Sequence, residues 1–104
     1  MNNSNISQYL ENAKKASAEF AKYSQLEVNK IIKEVYLAGF QNRVLLAKMA
    51  VAETGIGKWE DKVTKNILAT KYIYEDIKNL KTVGVISKDN GSGIIEVAQA
   101  IGPI

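Results

Sequence analysis

In the first part of the chain, apolar side chains fall at helical steps. Ile6, Tyr9, Leu10, Ala13, Ala16 and Phe20 recur every three or four residues, with Glu11, Lys14, Lys15 and Lys22 mostly off that stripe. The pattern predicts a core-facing helix over about residues 7–23, with Ser7 as its N-cap. Ser24, followed three residues later by Glu27, forms a capping-box pattern, and the stripe Val28, Ile31, Ile32 and Val35 follows it. A second helix is predicted over about 25–41. Residues 43–53, RVLLAKMAVAE, are almost continuously apolar. They predict a third helix, about 43–54, that needs cover on most of its sides. A free-standing chain of this length has little to cover it with. Gly55 and Gly57 end that helix, because glycine adopts the left-handed C-cap conformation without steric penalty.

From about residue 58 to 80 the pattern is helical again. Val63 and Ile67 share one face, and Ala69, Ile73, Ile77 and Leu80 continue it after a small drift. The drift predicts a break or kink near residues 66–70. After Lys81 the character changes. TVGVIS (82–87) and GIIEVAQAIG (93–102) are rich in β-branched residues, and the Asn90-Gly91 pair between them is a turn signal. The expectation is a β-hairpin with strands at about 82–87 and 93–102. Two strands alone are marginal in water, and only helices precede them. The fold class is therefore α+β, helices followed by a hairpin, with surfaces that call for further cover. Residues 1–104 are expected to form a single incomplete domain, helical over 1–81 and a hairpin over 82–102.

Composition narrows the chemistry. The chain has 104 residues, enough for one domain at most. It contains no cysteine and no histidine, which removes thiolate nucleophiles, imidazole bases, disulfides and the usual zinc sites. This is compatible with a cytoplasmic setting. No secretory signal pattern opens the chain, and no window reaches the roughly 18 apolar residues of a membrane span. The net charge is +3, and all of the excess lies in residues 1–48. Without a clustered basic stripe, solvated helix faces explain the lysines, and nucleic acid is not an expected partner.

Four groups of residues invite a chemical reading. Gly55-Ile56-Gly57-Lys58 suggests a phosphate loop, but the spacing is wrong, a helix precedes it and Trp59 follows. Asp89 to Gly93, DNGSG, suggests a calcium loop but lacks the alternating acidic ligands and the distal glutamate. Glu53, Glu60 and Asp61 could form a carboxylate pair, yet their positions at helix ends suit solvated or capping charges better. Trp59 suits a core or interface anchor better than a stacking platform. No catalytic, cofactor-binding or metal-binding residue is assigned.

The local order of residues also carries a resemblance. LAKMAVAETGIGKWEDKVTKN (46–66) resembles the N-terminal region of the CoA-acylating (acetylating) aldehyde dehydrogenases, in the aldehyde dehydrogenase superfamily. The shared pattern is Ala-Lys-x-Ala-Val-x-Glu-Thr-Gly-x-Gly, here Ala47 to Gly57, then Glu-Asp-Lys-Val-x-Lys-Asn, here Glu60 to Asn66. YIYEDIKNLKTVGVI (72–86) and YSQLEVNKI (23–31) are similar to the bifunctional aldehyde–alcohol dehydrogenases in particular. Ala100 departs from the pattern, since the family usually has proline in x-Pro-Ile-Gly-x-Ile.

The resemblance implies that the chain is the N-terminal part of an α/β aldehyde dehydrogenase fold. The helices would pack on a nucleotide-binding domain and the hairpin would join an oligomerisation sheet. Residues 103–104 would begin the nucleotide-binding sheet. It further implies an enzyme that converts an aldehyde, CoA and NAD into acyl-CoA and NADH through a catalytic cysteine. No such cysteine is present here, so this chain alone is expected to bind neither NAD nor CoA and to be inactive. The implied partners are the remainder of the enzyme or another subunit, reached through the hairpin, in a homo-oligomer without nucleic acid or membrane. An alternative reading is a stand-alone interaction module of the same ancestry, which would unfold cooperatively where a fragment would be aggregation-prone or molten.

Overall fold

The computed structural model describes residues 3–104. Helices α1 (Asn3–Phe20), α2 (Gln25–Gln41), α3 (Arg43–Thr54) and α4 (Trp59–Ile67) come first. A π-helical turn, Leu68–Tyr72, joins α4 to the short α5 (Ile73–Ile77). Strands β1 (Gly84–Asp89) and β2 (Ile94–Ala98) pair antiparallel. The chain divides into two compact units: residues up to Val28 with Lys81–Ile104, and Asn29–Leu80.

In the first unit, α1 begins at Asn3, so Ser7 lies inside the helix and is not its N-cap. The polar residues before Ile6 continue the helix because nothing in them, neither proline nor glycine, stops it. The first part of the stripe predicted to face a core is open, with Tyr9 65% exposed and Ile6 and Leu10 exposed with it, while Ala13 and Phe20 are half-buried. The helix also stops at Phe20 rather than 23. A tight turn follows, in which the Tyr23 amide donates to the Phe20 carbonyl (3.0 Å) and the two rings tilt against each other at 5.7 Å.

The capping box forms as the sequence indicated. The Ser24 amide donates to Glu27 Oε2 (3.0 Å), and the Glu27 amide donates to Ser24 Oγ (3.2 Å). Reciprocal capping satisfies two donors that a helix start leaves without partners, an effect worth about 1 kcal/mol. The neighbouring Gln25 grips the start of the hairpin. Its Oε1 accepts from the amides of Thr82 (2.7 Å) and Val83 (3.0 Å), and its Nε2 donates to Thr82 Oγ1 (2.9 Å).

The first strand has the predicted length but lies two residues later, and the second is shorter than predicted. Val85 pairs with Val97 and Ser87 with Glu96, leaving Ile86 as a β-bulge. The turn is built on Asp89. Its carbonyl accepts from the Gly93 amide (2.9 Å), Oδ1 from the Gly91 amide (2.9 Å) and Oδ2 from Ser92 Oγ (2.7 Å). Beyond Ala98 the chain runs irregularly, which shortens the predicted second strand.

In the second unit, α3 and α4 form a helical hairpin. Asn66 Nδ2 near the end of α4 donates to the Arg43 carbonyl at the start of α3 (3.0 Å), and Lys48 Nζ lies 4.5 Å from the centre of the Trp59 ring. The glycine break makes this joint. Gly55 caps α3 with a left-handed φ of 66°, and its amide donates to the Val51 carbonyl.

The break predicted near 66–70 is the π turn at 68–72. Neither proline nor glycine causes it. Thr70 Oγ1 instead donates to the Asn66 carbonyl at 2.6 Å, and a side chain bonded back to the i−4 carbonyl competes with the regular ladder. The helical run ends at Ile77, short of the expected 80.

Candidate docking surface

Among the described residues only two hydrophobic side chains count as core, Val28 at 7% exposure and Ala47 at 1%. Leu45 (57%) and Met49 (56%) of α3 are exposed, as are Leu46 and Val44. The nearly all-apolar helix that sequence reasoning found hard to cover is buried at Ala47 but open at Val44, Leu45, Leu46 and Met49. Both strands of the hairpin are exposed along almost their whole length, and each leaves one edge of backbone unpaired. Exposed apolar side chains of this kind, where they cluster within either unit, mark surfaces that a soluble protein covers by binding.

One part of this surface has a definite shape. An open apolar groove of about 180 Å³ lies within the second unit. Ile32, Val35 and Tyr36 of α2 form one wall; Ala69, Thr70, Ile73, Tyr74 and Ile77 form the other. Tyr36 and Tyr74 stack with centroids 4.5 Å apart and planes 5° from parallel. The stack fixes the spacing of the walls. The Thr70 hydroxyl is committed to backbone carbonyls. The groove can therefore bury apolar side chains.

The residues that invited a chemical reading are not brought together into a site. Glu53 lies in the last turn of α3, and Glu60 and Asp61 in the first turn of α4, all exposed. The latter two suit the positive end of the helix dipole. Among the described residues, no group of three or more acidic side chains is placed to hold a metal ion. Gly57 and Lys58 lead into α4 from a helix, not from a strand, and the Gly55 amide is used in capping α3. These residues do not form the strand–glycine–helix cradle that a dinucleotide phosphate requires. In the Asp89 turn, both carboxylate oxygens already accept hydrogen bonds from Gly91 and Ser92. Trp59 is half-exposed beneath the Lys48 ammonium. Among the described residues, no helix is long and apolar enough to cross a membrane. Sequence reasoning did not single out the Tyr36–Tyr74 stack; Tyr36 stood next to the predicted stripe, but the spacing alone could not show its partner 38 positions later.

No protein-family profile matches the chain. It is 48% identical over 95 residues to the bifunctional aldehyde-alcohol dehydrogenase of Escherichia coli (strain K12), a match covering 91% of this chain and 11% of that protein. A probable aldehyde dehydrogenase from Listeria monocytogenes EGD-e is similar in structure, with a TM-score of 0.86 at 42% identity over 90% of this chain and 21% of that one. An acetylating aldehyde dehydrogenase from Geobacillus thermoglucosidasius gives a TM-score of 0.81 at 41% identity, over 85% of this chain and 20% of that one. The chain thus spans about a tenth of the curated relative and a fifth of the two solved chains.

Proposed function

Because this chain belongs to the acylating aldehyde dehydrogenase family, as a homologue of its N-terminal region, we propose that it is the packing segment of such an enzyme. The whole enzyme would convert an aldehyde, CoA and NAD into acyl-CoA and NADH. These residues would supply none of the reacting groups. The observation that carries the reading is the exposed apolar surface: side chains of α3, the Tyr36–Tyr74 groove and both strands of the hairpin are open, and the rest of such an enzyme would cover them. The helices would be covered by a nucleotide-binding domain, the hairpin edge by a further strand, and residues 103–104 would lead into the next sheet. The acyl transfer needs a thiolate, and the sequence has no cysteine; NAD and CoA would be held by residues outside this chain.

The test is a chimaera. The corresponding segment of the Escherichia coli enzyme is replaced by this chain, alongside a deletion of that segment and the isolated chain. The expected result is NAD-dependent, CoA-dependent aldehyde oxidation in the chimaera, none in the deletion or the isolated chain, and strong dye binding by the isolated chain's apolar surface. Turnover by the isolated chain would overturn the reading. Cooperative unfolding of that chain without dye binding would favour a self-sufficient interaction module instead.

A further inference from the structure

We propose that Asn90 is a site of spontaneous covalent modification, the one asparagine of the chain set up to cyclise and lose its amide. Of all the asparagines, only Asn90 is followed by glycine. Asn12, Asn29 and Asn66 lie within helices, where the ladder holds the backbone; Asn42 and Asn79 lie in exposed turns but precede Arg43 and Leu80, whose side chains crowd the attacking nitrogen, whereas Asn90 lies in an exposed turn and precedes glycine. Gly91 has no side chain to shield its nitrogen.

The reaction is intramolecular. The Gly91 nitrogen attacks the side-chain carbonyl carbon of Asn90, the new C–N bond closes a five-membered succinimide, and the amide nitrogen leaves as ammonia with the proton that the Gly91 nitrogen gives up. Water then opens the ring at either carbonyl. One opening gives aspartate; the other gives isoaspartate, in which the backbone runs through the former side chain.

The turn's own construction creates the liability and restrains it. A Cβ at position 91 would stand 3.3 Å from Asp89 Oδ1, tighter than most real contacts. Glycine there lets the carboxylate approach, and the same glycine leaves the nitrogen open to react. The Gly91 N–H that must be released is the one donated to Asp89 Oδ1 at 2.9 Å. Asp89 is therefore a restraint on the cyclisation: the nitrogen attacks only when that bond opens. Once formed, the product places a second negative charge beside Asp89 and, as isoaspartate, lengthens the turn.

Incubation of the purified chain at neutral to mildly alkaline pH, followed by peptide mapping and intact-mass analysis, tests this. The expected result is loss of the original Asn90 peptide to an acidic pair, aspartate and isoaspartate, while the peptides carrying Asn12, Asn29, Asn42, Asn66 and Asn79 stay unchanged. Asn90→Gln should abolish the acidic species, and Asp89→Ala should make them appear several-fold faster. Conversion at Asn90 no faster than at those five positions would overturn the site. Persistence of the acidic species in Asn90→Gln would do the same. An unchanged or slower rate in Asp89→Ala would overturn the restraint.

Discussion

A methyl group placed on Gly39 would stand 2.9 Å from the Cγ2 of Thr70, a distance that real side chains essentially never keep. Thr70 cannot turn away freely, because its hydroxyl is bonded to the Asn66 carbonyl at 2.6 Å. The close approach of α2 to the π turn is therefore keyed to glycine on one side and to a tethered threonine on the other.

This relationship predicts a non-additive pair. Gly39→Ala should destabilise the chain by about 1–3 kcal/mol through overpacking, despite the roughly 0.5–1 kcal/mol that alanine ordinarily gains over glycine inside a helix. Thr70→Ser keeps the hydroxyl and removes the obstructing methyl. In that background Gly39→Ala should be neutral or stabilising. Hydrogen exchange of the α2 and π-turn amides in the four variants, each built into the chimaera with the Escherichia coli enzyme, reads the cycle. Equal penalties in both backgrounds would show that the contact is not what makes position 39 small.

The Gln25 grip predicts a local effect on the hairpin. Gln25→Ala returns the Thr82 and Val83 amides to water, which replaces most of the lost bonding, so the global cost should be only about 1 kcal/mol. Hydrogen exchange at these two amides should nevertheless accelerate clearly. Gln25→Glu keeps an acceptor and should retain part of the protection; equal exchange in Ala and Glu variants would count against the acceptor role.

The Asp89 turn predicts a pH response confined to acid. The Ser92 hydroxyl, then the backbone amides of Gly91 and Ser92, hold the Asp89 carboxyl below its ordinary value. A depressed folded value means that the turn's contribution is complete above the unfolded pKa and is lost as pH falls through the folded one. Nothing should change near neutrality. Nuclear magnetic resonance titration of the Asp89 carboxyl and the Gly91 amide should give one shared, lowered midpoint. Ser92→Ala should raise it. A midpoint at or above the ordinary carboxylate value would contradict the hydrogen-bonded turn.

Much of this architecture was legible in the residues. The Ser24/Glu27 box, the Gly55 cap and the Asn90-Gly91 turn are local devices, and local chemistry suffices to read them. The break near 66–70 showed as drift in the apolar stripe, although its cause, the Thr70 back-bond, did not. The start of α1 was missed because a capping residue such as Ser7 competes with an uninterrupted run of helix-compatible residues before it. Of the stripe predicted to face a core, Ile6, Tyr9 and Leu10 are exposed, since periodicity identifies an apolar face but not whether anything covers it. The Gly39–Thr70 approach and the Tyr36–Tyr74 stack join positions more than thirty residues apart, beyond any spacing rule.

The reach of Gln25 to Thr82 also has a consequence in time. Residues 29–80 form a unit contiguous in sequence, whose contacts can close as soon as those residues exist. The other unit is split, and its anchoring bonds join positions 57 and 58 residues apart. Closing so long a loop carries an entropic cost and slows folding. The helical hairpin should therefore fold first, and the strands should find their anchor last. In pulse-labelled hydrogen exchange the α3 and α4 amides should gain protection before those of Thr82 and Val83; the reverse order would show that the hairpin docks without waiting. During synthesis, the exposed strand edges are thus the last part of this chain to be secured.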